Sequence, residues 1–196
     1  MYFVLMVFFL SGCAAKKNDQ INAVKLFQQL NTDSTNINFI NKLSYDDQFN
    51  IFTYRNYYNG GGVAIGDINN DGLPDIFFTA NMLPNRLYLN KGNFKFEDIT
   101  EKAGILKKGK WSTGVSMADV NGDGLLDIYV CNSGDIHGDN KRNELYINNG
   151  PSPSADGHGG GGVTFTERAH EYGLDDNGLS THAAFFDYDH DGDLDM

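Results

Sequence analysis

One acidic loop is spelled three times in this chain: Asp67-Ile-Asn-Asn-Asp-Gly-Leu-Pro-Asp75, Asp119-Val-Asn-Gly-Asp-Gly-Leu-Leu-Asp127 and Asp187-Tyr-Asp-His-Asp-Gly-Asp-Leu-Asp195. Each reads D-x-[ND]-x-D-G-x-x-D, and each follows a short apolar approach segment. The pattern constrains the fold in two ways. Carboxylates this crowded suit a hard cation, and a loop repeated in phase requires a repeated structural unit.

Calcium takes roughly 6–8 oxygen ligands from carboxylates, amides and backbone carbonyls. Oxygens at loop positions 1, 3 and 5 converge only if the chain turns sharply after them, and glycine supplies that turn because it tolerates positive φ. In the first loop the ligands are then Asp67, Asn69, Asp71 and Asp75, with the Leu73 carbonyl. In the second they are Asp119, Asn121, Asp123 and Asp127, with the Leu125 carbonyl. In the third they are Asp187, Asp189, Asp191 and Asp195, with the Asp193 carbonyl. Water completes each shell. The alternative for a single copy is an acidic turn that binds nothing, and three copies in phase argue against it. Magnesium demands tighter octahedral geometry. Zinc and the transition metals want His or Cys, absent from the ligand positions.

An EF-hand opens the same way but needs a bidentate Glu at position 12 and flanking helices. Position 12 here is Phe78 in the first loop and Val130 in the second. The runs Ile76-Phe-Phe-Thr79 and Ile128-Tyr-Val-Cys131 that follow are β-branched and aromatic, as strands are. The loop therefore joins strand to strand.

The self-similarity extends beyond the loop. Gly62-Val-Ala-Ile-Gly-Asp67 matches Gly114-Val-Ser-Met-Ala-Asp119 and His182-Ala-Ala-Phe-Phe-Asp187. Asn85-Arg-Leu-Tyr-Leu-Asn-Lys-Gly92 matches Asn143-Glu-Leu-Tyr-Ile-Asn-Asn-Gly150, and the block 96–105 matches 165–174. The second unit carries insertions within 132–142 and 151–162. A period of about 50 residues, with several short strands in each unit, is the mark of a propeller or a strand-rich array. The fold expected is all-β, a β-propeller, with first-unit strands at 63–67, 75–79, 86–90 and 94–99. Residues 101–103 then form a helical turn or tight loop ending at Gly104.

On these motifs the chain resembles the FG-GAP/VCBS-repeat propellers. It is most similar to the bacterial VCBS-repeat lipoproteins that often carry an ASPIC/UnbV domain further along. The segment 49–62, Phe-Asn-Ile-Phe-Thr-Tyr-Arg-Asn-Tyr-Tyr-Asn-Gly-Gly-Gly, shares that likeness, which runs from about residue 36 to residue 196. The resemblance implies a seven- or eight-bladed propeller with calcium at the blade loops. The chain then holds about two blades and the start of a third, in units of about 60–111, 112–180 and 181–196, and is expected to be a fragment of a longer protein.

Residues 1–10 are nearly continuous apolar sequence, too short to span a bilayer but suited to the core of a signal peptide. Leu10-Ser11-Gly12-Cys13 follows and resembles a bacterial lipobox. The expectation is a signal peptide over 1–12 and lipidation at Cys13, where multiple acyl chains satisfy the requirement for stable anchoring. A polar tether and short helix are expected over 13–34. Ile21, Val24, Phe27 and Leu30 recur at helical spacing over 20–30. Residues 35–43 read as a strand donated to the ring. Ala14 and Ala15 after the cysteine fit an outer-membrane lipoprotein facing the periplasm or the cell surface.

The net charge is −11, with much of the excess acid in the three loops, and the surface is not basic. Nucleic-acid binding is therefore not expected. With Cys13 lipidated, Cys131 has no disulfide partner and reads as a small buried hydrophobe following a strand at 127–130. The histidines His137, His158, His170, His182 and His190 form no zincin spacing. No G-x-S-x-G elbow is present, and the Gly159–Gly162 run lacks the Lys-[Ser/Thr] of a phosphate cradle. Tyr54, Arg55, Tyr57 and Tyr58 have interface-like composition, which packing at the propeller hub explains equally well.

The function expected is that of a calcium-binding, envelope-anchored propeller used for recognition or adhesion, non-catalytic in this segment. Its partners are calcium, a protein or glycan ligand on the propeller face, and the membrane through the lipid anchor. Two alternatives are the non-catalytic part of an envelope polysaccharide-processing enzyme and an assembly partner of outer-membrane proteins. Fold alone does not choose among them.

Overall fold

The computed structural model describes residues 25–105, 109–134, 141–151 and 162–196. The apolar segment 1–10, Cys13, His137 and His158 lie outside these residues, as do Ile21 and Val24 of the expected helix. Among the described residues no helix is long and apolar enough to cross a membrane.

Among the described residues, eight strands form two four-stranded antiparallel sheets. The first contains β1 (Val63–Gly66), β2 (Asp75–Phe78), β3 (Arg86–Asn90) and β4 (Phe96–Asp98) in that order. The second contains β5 (Ser112–Ala118), β6 (Asp127–Asn132), β7 (Glu144–Pro151) and β8 (Val163–Glu167), again in chain order. Each sheet is an up-and-down blade. A third unit begins with an isolated bridge between Phe186 and Asp195 across the last acidic loop. The architecture is that of a partial β-propeller.

The strand alternation explains the stacking. In β6, Ile128 and Val130 belong to the cluster shared with the first sheet, while Tyr129 and Cys131 face the third unit. Every residue of β6 is buried, because successive side chains point to opposite faces and both faces are covered. Between the blades, Ala64, Ile68, Phe77 and Leu87 pack against Val115, Val130, Tyr146 and Phe165. Full burial of each large apolar side chain contributes about 1.5–3 kcal/mol. Beyond the second blade, Leu145 and Ile147 meet Ala183 and Phe185, and Tyr129 meets Phe185 edge-on at 5.6 Å.

Close approach of neighbouring strands is bought by missing side chains. A Cβ on Gly62 would lie 2.9 Å from the Thr113 carbonyl oxygen, and one on Gly114 would lie 2.8 Å from the His182 Cα. Hydroxyls reinforce the approach: Thr79 Oγ1 donates to the Thr113 carbonyl, and Thr113 Oγ1 to the Ser180 carbonyl at 2.8 Å.

The segment before β1 differs from its sequence expectation. Residues 25–30 are not helical, and Phe27 stays 90% exposed, so this part of the expected helix gains no core. The helix lies later, as the four-residue α1 (Thr32–Thr35). Asn31 caps it through Oδ1, which accepts the Ser34 N–H at 2.7 Å, and Asn36 ends it at φ 64°. Residues 36–43 pair with no strand among the described residues. They attach through side chains instead: Phe39 stacks on Phe78 with centroids 4.7 Å apart, and Asn41 Nδ2 donates to Asn81 Oδ1 at 2.8 Å. The left-handed Asn36 interrupts the extended run, and asparagine side chains take the bonds a ladder would have used.

Further on, Phe49, Tyr54 and Tyr57 cluster with Trp111, each centroid within 5.6 Å of the indole. Tyr54 and Tyr57 are therefore packing residues, while Tyr58 and Arg55 remain exposed. β6 extends to Asn132, so Cys131 sits inside the strand and does not follow it. It is 1% exposed, and burial pushes its thiol up to about 11.

Candidate metal centre

The acidic loops connect β1 to β2 and β5 to β6, at the same end of both blades. The first two loops superpose bond for bond. Asp67 Oδ1 accepts the Asp71 N–H at 3.1 Å, and Oδ2 accepts the Gly72 N–H at 2.7 Å. In the second loop Asp119 accepts from Asp123 at 3.1 Å and Gly124 at 2.8 Å. Asp71 Oδ1 takes the Leu73 N–H, and Asp123 Oδ1 the Leu125 N–H, both at 2.8 Å. Gly72 and Gly124 have φ of 83° and 85°, the left-handed turn the loop requires.

The ninth-position carboxylates do more than face the loop. Asp75 is fully buried, with Oδ2 accepting the Ile68 N–H at 3.0 Å and Oδ1 the Asn90 N–H at 2.7 Å. Asp127 repeats this with Val120 at 3.0 Å and Asn148 at 2.8 Å. Asp195 accepts the Tyr188 N–H at 2.8 Å. Asp75 and Asp127 thereby tie their loops to the third strand of their blades.

The third loop differs in electrostatics. There Asp187, Asp189 and Asp195 each bring a carboxylate oxygen within 4.8 Å of the others, and among the described residues no other trio of Asp, Glu, His or Cys does so. The cause is the third position. Asn69 and Asn121 donate Nδ2 to Asp71 and Asp123 at 2.9 Å, closing those loops with an amide, whereas Asp189 has no proton to give. Asp187 Oδ1 is buried without a hydrogen-bond partner. Asp193 is raised, chiefly by the neighbouring Asp191 carboxyl, and Asp191 is lowered by the Asp193 N–H. An orphaned carboxylate oxygen beside two further carboxylates, with oxygen donors throughout, fits a hard divalent cation.

The first two loops also show the strain of crowded acid. Burial pushes Asp75 up to about 6, helped by Asp71 and Asp67, and the Asn90 and Ile68 N–H groups only partly offset it. Asp127 is raised for the same reasons. A carboxyl raised in the fold contributes stability that is complete below its unfolded value near 3.8 and is lost as pH rises through about 6. In chelator, the urea midpoint of the parent protein is therefore expected to gain on that of Asp75→Asn as pH falls from about 7 to about 4. A constant difference across that window would contradict the raised Asp75.

The motif recurrence contained one role that spacing did not reveal. Asn85 Oδ1 accepts the Ala80 N–H at 2.9 Å, and Asn143 Oδ1 the Asn132 N–H at 2.8 Å. Asn90 and Asn148 receive the ninth-position carboxylates through their backbone N–H. The signal was the in-phase recurrence of both asparagines in Asn-x-Leu-Tyr-x-Asn-x-Gly.

Residues 67–130 match the family model described as FG-GAP-like repeat. The chain is similar to cartilage acidic protein 1 of Xenopus tropicalis, 41% identical over 78 residues, which is 39% of this chain and 12% of that protein. The Homo sapiens protein of the same name is 37% identical over 76 residues, with the same two shares. Integrin alpha-8 of Gallus gallus is 28% identical over 134 residues, covering 61% of this chain and 12% of that protein. The chain thus spans 12% of the length of the curated relatives it matches. Sequence similarity and architecture agree on an FG-GAP-like repeat domain within a partial β-propeller.

Proposed function

We propose that this chain is part of a calcium-stabilised, non-catalytic propeller for recognition or adhesion, anchored to the bacterial envelope through Cys13. The third acidic loop is the observation that carries the metal reading, with three carboxylates within 4.8 Å and a buried Asp187 Oδ1 that lacks a partner. Asp187, Asp189, Asp191 and Asp195 would hold the ion there. Asp67, Asn69, Asp71 and Asp75 would do so in the first loop, and Asp119, Asn121, Asp123 and Asp127 in the second, with the carbonyls of Leu73, Leu125 and Asp193 completing the protein donors. Bound calcium supplies positive charge that offsets the crowded carboxylates and holds them in the anionic form. The role is structural, since each loop sets how β1 and β2, or β5 and β6, enter their ladder.

Recognition is supported by the FG-GAP-like match and by the similarity to integrin alpha-8, with a protein or glycan as the ligand of the propeller face. The envelope anchor is supported by the apolar 1–10 segment ahead of Leu10-Ser11-Gly12-Cys13.

A calcium titration followed by melting in calcium and in chelator tests the metal role. At a free concentration of about 100 times Kd, each site is expected to add about 2.7 kcal/mol. Asp71→Ala and Asp123→Ala are expected to reduce the calcium-dependent rise in Tm. Identical melts in calcium and chelator would overturn the proposal.

A further inference from the structure

The first two loops are not independent. Asn148, on β7 of the second blade, donates Nδ2 to the Ile68 carbonyl of the first loop at 2.8 Å and to the Leu126 carbonyl of its own loop at 3.1 Å. It is 2% exposed, and its Oδ1 accepts the Gly150 N–H at 2.9 Å. Both amide hydrogens and the amide oxygen are thus committed. The peptide groups on either side are themselves held by carboxylates: Ile68 donates its N–H to Asp75, and Asn148 donates its N–H to Asp127. A continuous path therefore runs from Asp75 through Ile68 and Asn148 to Asp127, and on to Val120. A second bond bridges the same loops at the surface, where Asn70 Nδ2 donates to the Gly124 carbonyl at 3.0 Å.

Building on the metal reading proposed above, we infer that Asn148 and Asn70 are positioning residues that couple the first two cation sites, so that filling one loop raises the affinity of the other. The physical reason is preorganisation. An ion in the second loop fixes Asp127 and the turn at Gly124. Those groups in turn fix Ile68 and Asn70, which both lie inside the first loop. The ordering is then partly complete before the first loop binds. The Asn70 bridge is not repeated between the second and third loops. The second loop carries Gly122 where the first has Asn70, so it has no side chain there to reach onward.

Loop-specific reporters are built into the chain. The Gly72 and Gly124 amides donate to Asp67 Oδ2 and Asp119 Oδ2, so their NMR cross-peaks follow each loop separately. In a 15N-labelled chain titrated with calcium, disabling the second loop by Asp119→Asn with Asp123→Asn is expected to move the Gly72 midpoint to about fivefold higher calcium, near the lower end of common coupling strengths. Disabling the first loop by Asp67→Asn with Asp71→Asn is expected to move the Gly124 midpoint by the same factor, because coupling of binding is reciprocal. In an Asn70→Gly background, which places the residue of the second loop in the first, both shifts are expected to shrink. Asn70 is exposed and already has φ 56°, so this variant retains the backbone conformation.

Midpoints that ignore the state of the neighbouring loop would overturn the coupling and leave the metal reading standing. Unequal factors in the two directions would also overturn it, since a structural lesion is not bound by reciprocity. Full shifts in Asn70→Gly would remove Asn70 from the pair. If neither cross-peak responds to calcium in the parent chain, the coupling falls together with the metal reading of the first two loops, while the Gly192 amide, which donates to Asp187, reads the third loop separately.

Discussion

Asp127→Ala is expected to lower the unfolding free energy by about 3 kcal/mol in chelator as well as in calcium. The side chain is 1% exposed, and its two oxygens satisfy the Val120 and Asn148 N–H groups. Truncation leaves both donors without that acceptor, and an unsatisfied buried donor costs about 1–3 kcal/mol. Asn148 also loses the bond that holds its backbone N–H, and its side chain bridges to Ile68, so the damage crosses to the first blade. Asp127→Asn keeps one acceptor oxygen and is expected to lose less. Urea denaturation in chelator separates this role from metal binding. A loss seen only in calcium would mean that Asp127 acts through the ion alone.

The second large effect belongs to a residue with no side chain. Gly114→Ala is expected to destabilise by about 3 kcal/mol, at the upper end for overpacking. The new methyl would lie 2.8 Å from the His182 Cα and would also meet the Thr181 carbonyl. These atoms belong to the backbone of the adjoining unit and cannot swing aside. The strain separates the third unit from the second blade, so Phe185 loses its contact with Tyr129. Near-UV circular dichroism should register that loss before the far-UV signal changes. Gly122→Ala is the control: a Cβ there meets open space, and only the positive φ of 71° resists it, at a cost of about 1–2 kcal/mol. Equal losses for the two variants would refute the close-approach argument.

Much of this arrangement was legible in the sequence because its signals are local. The 75–78 and 127–132 runs are strands because β-branched and aromatic residues follow a tight acidic turn, and the turn is fixed by glycine at a set distance from the first aspartate. Over 25–30 the helical stripe misled because periodicity states which residues share a face, not whether anything covers that face. Phe27 is 90% exposed, and a short helix without a covering surface does not form. The expected strand at 35–43 failed at Asn36, whose left-handed conformation no alternation pattern encodes. The three loops read alike on the page, yet one change, Asp189 for Asn69 and Asn121, separates a carboxylate cluster from two amide-closed turns. The bridging role of Asn148 is a long-range contact between Ile68 and a residue of the next blade, beyond the reach of spacing.

The first strands of the three units share one pattern but meet different fates. Val63 and Ile65 are 56% and 65% exposed, whereas Val115, at the position of Val63, is 3% exposed against the first blade. Ala183 and Phe185 repeat the covered arrangement on the second blade. The stack therefore has a front and a back, and units join front to back. Such a heterologous contact does not close on itself in pairs, so it extends in series until a ring or a cap ends it. Among the described residues the front of the first unit has no neighbouring blade against it, an apolar edge suited to such a contact. Polar substitutions at Val63 and Ile65 would blunt that edge without touching the core that Val115 serves.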